Sequence, residues 1–525
     1  MKKKTFHKIS ALSLAAMMSL STVSTTAIGL SAKNSLNALS EEISTLATDA
    51  AGYNVLGAVT SAAVDGNKVD LTIETGEKIR FTFLEPHVFR MYMAPEGEEF
   101  QEYPTPNGSD HTATITNKTD DQYKAEYNVV PELTDDGDKY TISTDKIKLE
   151  IVKETSMMKL MKADGTVVWE ESAPLKYKSG STIQTLKTND DEYFYGGGTQ
   201  NGRFSHKGQS IKIVNTNNWV DKGVASPNPF YWSTNGYGVV RNTWKPGEYD
   251  FGSKDAQTVT TTHNEKRFDA YYFVDDSTKD ILGDYYELTG KPAEQPEYAS
   301  YLGHLNCYNR DFWLEVPEGT SGAVKLGDKW YKESQSDNGG TKETLLGGNT
   351  TAQQIIEDHK AYDMPFGWFL PNDGYGCGYG QTDSLAGDLE NLKNFGDYAN
   401  ENGVQIGLWT QSNLWPADPS NPQKGERDIY KEVEAGVRSV KTDVAWVGAG
   451  YSMALNGISV AYDAISSKSG IKPHIVTLDG WAGTQRYGGI WSGDQSGGQW
   501  EYIRFHIPTY IGTSLSGQPN IGSDM

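Results

Sequence analysis

The chain has 525 residues, a formal net charge of −22 and 11% aromatic residues, among them 30 Tyr and 13 Trp. The length allows more than one domain with a large core, and the acidic balance argues against nucleic acid and anionic membrane surfaces as partners. Only two cysteines occur, Cys307 and Cys377, so the chain is no disulfide scaffold; one disulfide and two free thiols are both compatible with the sequence.

In chain order, the first element is a segment with a basic start, Lys2, Lys3, Lys4 and Lys8, followed by uncharged residues from Ile9 to Ala32. This pattern predicts a secretory signal peptide over residues 1–32, with cleavage near Ala27 or Ala32. A membrane anchor is the competing reading, disfavoured by the Ser and Thr content. No later stretch is apolar enough to span a bilayer. The expectation is a secreted or extracellular protein, free or attached at the cell surface, with no integral membrane segment once the signal is removed.

Residues 50–295 predict an all-β domain. Short alternating runs such as Lys68–Glu74 and Lys146–Val152 are separated by Gly, Asn and Asp turns, which suggests a β-sandwich. From residue 296 the pattern changes to alternating strands and helices. Tyr301–Asn306 reads as a strand, Thr351–Tyr362 as a helix and Phe366–Leu370 as the second strand. A helix over Asp388–Asn402 leads to Val404–Trp409. Another over Glu426–Ala435 is ended by Gly436 and leads to Val437–Thr442. Tyr451–Ser467 leads to His474–Leu478; Gly488–Trp491 and Gln518–Gly522 complete seven strands. Between Leu478 and Gly488 there is room for only a short helical turn. Repeated units of this kind predict a parallel (β/α)8 barrel or a doubly wound sheet. Because an eighth strand is not seen by Met525, the expectation is a TIM barrel over residues 296–525 that is truncated before its last strand.

Two aspartates stand just past predicted strands. Asp443 follows the fourth, in Val440-Lys-Thr-Asp-Val-Ala-Trp446; Asp494 follows the sixth, in Trp491-Ser-Gly-Asp494. Active sites of such barrels lie at the C-terminal strand ends, and glycoside cleavage uses two carboxylates that flank one bond. Each Asp alone fits a helix cap or turn equally well. Asp373 follows the second strand and Asp524 the seventh, where both could accept hydrogen bonds from sugar hydroxyls; for Asp373 the adjoining Asn372 and Gly374 also suit a plain turn. Arg486 could donate to a hydroxyl or orient a carboxylate, although a surface ion pair is the commoner role for such a residue. Trp409, Trp415, Trp446 and Trp491 are candidates to line the pocket, with core packing as the alternative for each. The Gly-rich runs Gly196-Gly-Gly198 and Gly374–Gly378 lack the Lys and Ser/Thr of a phosphate loop. Neither His nor Cys shows metal-ligand spacing, so no metal site is read from the sequence.

Several of these segments resemble glycoside hydrolase family 31. Tyr193-Phe-Tyr-Gly-Gly-Gly198 is similar to a motif of the family's N-terminal sandwich, and Asp269–Asp275 through Tyr285–Pro292 to its lead into the barrel. Arg486–Asp494, Ile507-Pro508 and Gly517–Asp524 follow in the family's order. The resemblance implies a galactose-mutarotase-like β-sandwich, a (β/α)8 catalytic barrel and a retaining α-glycosidase acting on oligosaccharides or glycans. It implies Asp443 as nucleophile and Asp494 as acid/base, with Asp373, Arg486 and Asp524 touching the sugar. Where the family's α-glucosidases have Met-Asn-Glu after the nucleophile, this chain has Val444-Ala-Trp446. That context looks more like the bacterial α-N-acetylgalactosaminidase branch, so terminal α-N-acetylgalactosaminides are the favoured substrate. An α-glucosidase or α-glucosyltransferase is the alternative within the family, and a non-catalytic carbohydrate-binding protein the alternative outside it. The polar stretch from Asn306 to Asn349 reads as an insertion at the catalytic face, shaping access to a larger glycan or forming a surface loop.

Overall fold

Period-two alternation decides the first half of the chain. In the strand Ile147–Val152, Ile147, Leu149 and Ile151 are buried while Lys148 and Val152 face solvent, and Val69, Leu71 and Ile73 are buried in the same way on Lys68–Ile73. A computed structural model describes residues 48–106, 113–305, 312–321, 323–334, 351–370, 389–410, 414–416, 418–421, 427–442, 450–478, 480–495 and 499–523. These belong to one unit, Ala47–Met525. The predicted signal peptide, Cys307 and Cys377 lie outside the described residues.

Two antiparallel sheets of ten and eight strands form the first part. Their apolar faces meet through aromatic rings: Phe194 of the eight-stranded sheet stacks on Phe251 of the other at 4.8 Å, and Trp169 lies 5.4 Å from Tyr272. Within the eight-stranded sheet, Val224–Ser233, Tyr237–Arg241 and Phe268–Val274 are buried along their whole length. Such strands are covered on both faces and lose the simple alternation.

Two helices interrupt the predicted all-β run. The first, α1 (Asp120–Tyr127), starts at a capping box in which Thr119 accepts from the Gln122 amide and the Gln122 side chain accepts from the Thr119 amide. Reciprocal capping of this kind satisfies donors that a short helix leaves open. The second, α2 (Thr278–Thr289), is capped by Ser277 and leads out of the sandwich.

Seven parallel strands follow, paired in sequence order: β1 (Leu302–Leu305), β2 (Phe366–Leu370), β3 (Gln405–Thr410), β4 (Val437–Thr442), β5 (His474–Thr477), β6 (Gly489–Trp491) and β7 (Ile521–Gly522). Helices α3 (Thr351–Ala361), α4 (Leu389–Glu401), α5 (Ile429–Glu434) and α6 (Tyr451–Ser469) separate the first five strands, and α7 (Trp500–Leu515) separates the last two. Between β5 and β6 only a 3₁₀ turn, Thr484–Arg486, is present, as the short spacing predicts. The stretch after β1 is more than a loop: Phe312–Val316, Val324–Leu326 and Lys329–Ser334 form a three-stranded antiparallel sheet. Among the described residues no helix is long and apolar enough to cross a membrane.

The two parts are joined by polar contacts inside an apolar seam. Tyr285 of α2 stacks on Phe230 at 4.3 Å and accepts a hydrogen bond from the Asn228 side chain. The Asn228 amide also donates to the Ser516 carbonyl, and the Trp232 indole to that of Leu515. Gly198 has φ of 77°, and a Cβ there would sit 2.2 Å from the Ser226 carbonyl oxygen. The Gly-rich run of the sandwich is therefore a place of close backbone approach.

Candidate active site

The C-terminal ends of β4, β5 and β6 form one rim. At the end of β4 the Thr442 hydroxyl donates to that of Thr477 at the end of β5, at 2.7 Å. Asp443 is the next residue in the chain and lies outside the described residues, as do Asp373, Asp524 and Trp446. Their predicted positions follow from the strands that precede them, and their side chains are not described.

Two residues before Asp443, the Lys441 ammonium stands 3.8 Å from the centroid of the Trp491 ring. Lys441 is on β4 and Trp491 on β6, with β5 between them. The contact therefore spans the inside of the curved sheet and draws together the strands that lead into Asp443 and Asp494. A cation over an indole face is attracted by the ring quadrupole, the more so when both are shielded from water, as here.

Asp494 is exposed at the rim, three residues past Trp491. It follows Gly493, whose φ is 105° and whose Cβ, if present, would lie 2.5 Å from the Trp219 ring. Only glycine combines that backbone with that approach. Trp219 belongs to the sandwich, so an aromatic side chain from the first half of the chain walls the loop that carries Asp494. Its carbonyl accepts from Gln495, which also donates to the Ser492 carbonyl. The neighbouring sandwich residues Asn215 and Ser226 donate to the Leu478 carbonyl just past β5. Sequence reasoning missed Trp219; the available signal was the run Asn215–Trp219, polar residues ending in Trp within a β-domain.

The remaining predicted residues divide. Trp491 lines a cavity of 860 Å³ inside the curved sheet, with Trp368, Leu370, Ser439, Lys441 and His474. Trp409 is buried on β3 beside Lys441 in the strand register, and its carbonyl accepts from Arg427. Arg427 is itself held by two hydrogen bonds to Glu432. Trp415 is half-buried against the main core.

Arg486 requires a correction. It precedes β6, at the N-terminal end of the strand and away from the rim. Its guanidinium donates to the carbonyls of Thr114, Thr116 and Gly483. These bonds use its donors to fasten the 114–116 segment, and burial lowers its pKa from the ordinary value. The resemblance implies a sugar contact for Arg486, but the residue closes the 3₁₀ turn Thr484–Arg486 and its side chain runs to the sandwich.

His474, the first residue of β5, forms the far wall of the cavity. Its Nδ1 lies 3.1 Å from the Ser439 hydroxyl, and the Trp368 ring packs edge-on at 4.9 Å. Burial lowers its pKa to about 4, so the imidazole is neutral at pH 7. In the unfolded chain it would titrate near 6.5. The contribution is thus fully present above pH 6.5 and is lost as pH falls through 4, by up to about 3 kcal/mol. The variant His474→Gln is expected to show a flatter loss of stability between pH 6.5 and 4 than the parent, read from urea midpoints across that range. Equal slopes for the two proteins would refute the assignment.

A parallel βα array beside a β-sandwich, with Asp494 exposed at its C-terminal rim, is an architecture of the TIM-barrel class, whose active sites lie at that rim. Residues 78–250 match the family described as "Glycosyl hydrolase 31 N-terminal galactose mutarotase-like domain", and residues 358–525 match "Glycosyl hydrolases family 31 TIM-barrel domain". Together these stretches cover more than half of the chain, which belongs to glycoside hydrolase family 31. Among curated relatives, an α-xylosidase of Emericella nidulans is 34% identical over 138 residues, 26% of this chain and 17% of the relative. Alpha-glucosidase 2 of Bacillus thermoamyloliquefaciens is 23% identical over 64% of this chain and 47% of its own length. Among solved structures, the family 31 dextranase of Flavobacterium johnsoniae complexed with glucose superposes with a TM-score of 0.69 at 16% identity, over 90% of this chain and 61% of that one. The chain thus spans a minor part of these curated relatives and about three-fifths of the dextranase.

Proposed function

We propose that this chain carries the catalytic pair of a retaining exo-α-glycosidase, with Asp443 as nucleophile and Asp494 as acid/base. The observation that carries the reading is the Lys441–Trp491 contact, 3.8 Å across the interior between β4 and β6. It ties together the two strands that lead into the candidate carboxylates, Asp443 directly after β4 and Asp494 three residues past the end of β6. Asp494 gives its proton to the glycosidic oxygen while the Asp443 carboxylate attacks the anomeric carbon and the C–O bond breaks. Water, losing its proton to Asp494, then attacks the same carbon and frees Asp443, so that configuration is kept. Such double displacement requires carboxyls roughly 5–5.5 Å apart. No step calls on a metal or an organic cofactor. Asp373 and Asp524 accept hydrogen bonds from sugar hydroxyls, and Trp219, Trp409, Trp446 and Trp491 supply the apolar surround.

The favoured substrate is a terminal α-N-acetylgalactosaminide of a glycan, because Val444-Ala-Trp446 stands where the family's α-glucosidases have Met-Asn-Glu and the surrounding context resembles the α-N-acetylgalactosaminidase branch. The α-glucosidase among the relatives supports a second reading, an α-glucosidase or α-glucosyltransferase. A panel of nitrophenyl α-glycosides separates them: nitrophenol release from the N-acetylgalactosaminide, with little from the glucoside or xyloside, is expected. Turnover of the glucoside alone would move the assignment to the second reading, and sugar binding with no turnover of any member would leave a binding protein.

The seven parallel strands, paired in sequence order, fit the sheet of a TIM barrel. Residues 1–32 act as a signal peptide for export; N-terminal sequencing of the mature protein should begin after Ala27 or Ala32, and a start at Met1 would refute cleavage.

A further inference from the structure

The sandwich holds a group of side chains that glycoside cleavage does not use. His87 lies in the turn between the strands Lys78–Glu85 and Val88–Ala94, Asp275 directly follows Phe268–Val274, and Asp284 is on α2. The His87 Nε2 stands 3.4 Å from an Asp275 oxygen and 3.3 Å from an Asp284 oxygen. One ligand atom of each residue lies within 4.8 Å of the other two. Backbone bonds fix the arrangement: the Val274 amide donates to the His87 carbonyl, and the Asp275 amide to that of Gly236. Gly236 has φ of 85°, and a Cβ there would press on the Asp275 carbonyl at 2.5 Å.

From this geometry we infer that His87, Asp275 and Asp284 form a structural binding site for a divalent transition-metal ion, with zinc the best match. Zinc holds imidazole nitrogen at about 2.0–2.1 Å and carboxylate oxygen at about 2.0–2.2 Å, so two ligands of a tetrahedron stand about 3.4 Å apart. Both Nε2–oxygen separations match that edge. A plain ion pair explains them less well. Nε2 carries a single proton, which can point to only one of the two oxygens, and both distances exceed the about 2.7–2.9 Å usual for a charge-assisted bond. A cation between the three atoms satisfies all of them at once.

Three further observations agree. The second Asp284 oxygen is buried and has no hydrogen-bond partner among the described residues, which leaves that carboxylate free to shift toward an ion. A cavity of 280 Å³ opens beside His87 and Asp275, with room for a water as fourth ligand. The Asp275 and Asp284 carboxylates each bring an oxygen within 4.8 Å of the other, and a cation between them relieves their mutual repulsion. Glu85 also faces His87 and Asp284. Lys146 and Lys162 line the cavity and oppose a cation, but Lys162 is paired with Asp276. The mix of one imidazole and two carboxylates suits zinc rather than calcium, which takes six to eight oxygens.

The ion would tie the sandwich to the helix that leads into the barrel. Asp284 adjoins Tyr285, which stacks on Phe230 and donates to the Gln485 side chain. Binding to the folded state alone raises stability by mass action. The full chain, dialysed against EDTA and titrated with zinc chloride in a calorimeter, should take up one equivalent with a rise in unfolding temperature. His87→Ala should abolish that equivalent, and Asp284→Asn should weaken it by at least about tenfold, with far-UV circular dichroism unchanged. Failure of wild-type protein to take up saturable zinc, or equal uptake by wild type and His87→Ala, would overturn the site. Cobalt(II) gives a readout that needs no variant: intense visible bands of tetrahedral cobalt support the site, and only the weak bands of octahedral cobalt refute it.

Discussion

Replacing Asp443 by alanine is expected to lower turnover of an activated α-glycoside by at least about 10⁴-fold, because the covalent intermediate can no longer form. Replacing Asp494 by alanine is expected to cost about 10²–10⁴-fold on a substrate whose leaving group needs a proton. On a nitrophenyl glycoside its first step should suffer far less, since nitrophenolate leaves unprotonated. Azide distinguishes the two. In Asp443→Ala it takes the nucleophile's place and yields the inverted glycosyl azide; in Asp494→Ala it attacks the glycosyl-enzyme and yields the retained one. The assay needs only protein that turns over the parent substrate, product analysis by NMR and rates for three proteins. An Asp443→Ala rate within tenfold of the parent would remove the residue from the mechanism. Exchanged azide products would reverse the two roles.

The parallel array was legible because each strand is a short apolar run bounded by a helix pattern. Phe366–Leu370 and Val437–Thr442 occur at their predicted bounds, and even the missing helix between β5 and β6 could be read from length alone. The sandwich was legible as alternation on strands such as Ile147–Val152, with one solvated face. Two things were not. The helices α1 and α2 rest on local capping by Thr119 and Ser277, a signal easily lost among β-type turn residues, which are the same residue types. Contacts between distant segments leave no periodic trace: Trp219 meets Gly493 across 274 residues of chain, and Arg486 donates to the carbonyls of Thr114 and Thr116. Position along a strand tells which end of the array a residue occupies. The direction of a long side chain depends on which polar groups the other domain offers it.

Asp269→Ala is expected to destabilise the sandwich by about 3–5 kcal/mol. Asp269 is almost fully buried on the strand Phe268–Val274, and it receives both the Nε and an Nη of Arg90 at 2.8 Å. The Asn242 amide donates to it as well, at 2.9 Å. Arg90 also donates to the Gln101 carbonyl, and the half-buried Asp120 stands 3.6 Å away, a longer contact that does not replace the two hydrogen bonds to Asp269. Removing Asp269 therefore leaves a guanidinium buried among Tyr92 and Tyr271 with its main counter-charge gone. The penalty belongs to that stranded charge rather than to the pair itself. This distinction can be measured. Asp269→Asn keeps the shape and one acceptor but not the charge, and should fall between parent and Asp269→Ala. Arg90→Met combined with Asp269→Leu should recover much of the loss, because no buried charge remains. Urea midpoints for these four proteins and for Arg90→Met and Asp269→Leu alone decide the matter. A loss below about 1 kcal/mol in Asp269→Ala, or a double variant as unstable as the sum of its single changes, would show that the guanidinium finds solvent or another partner.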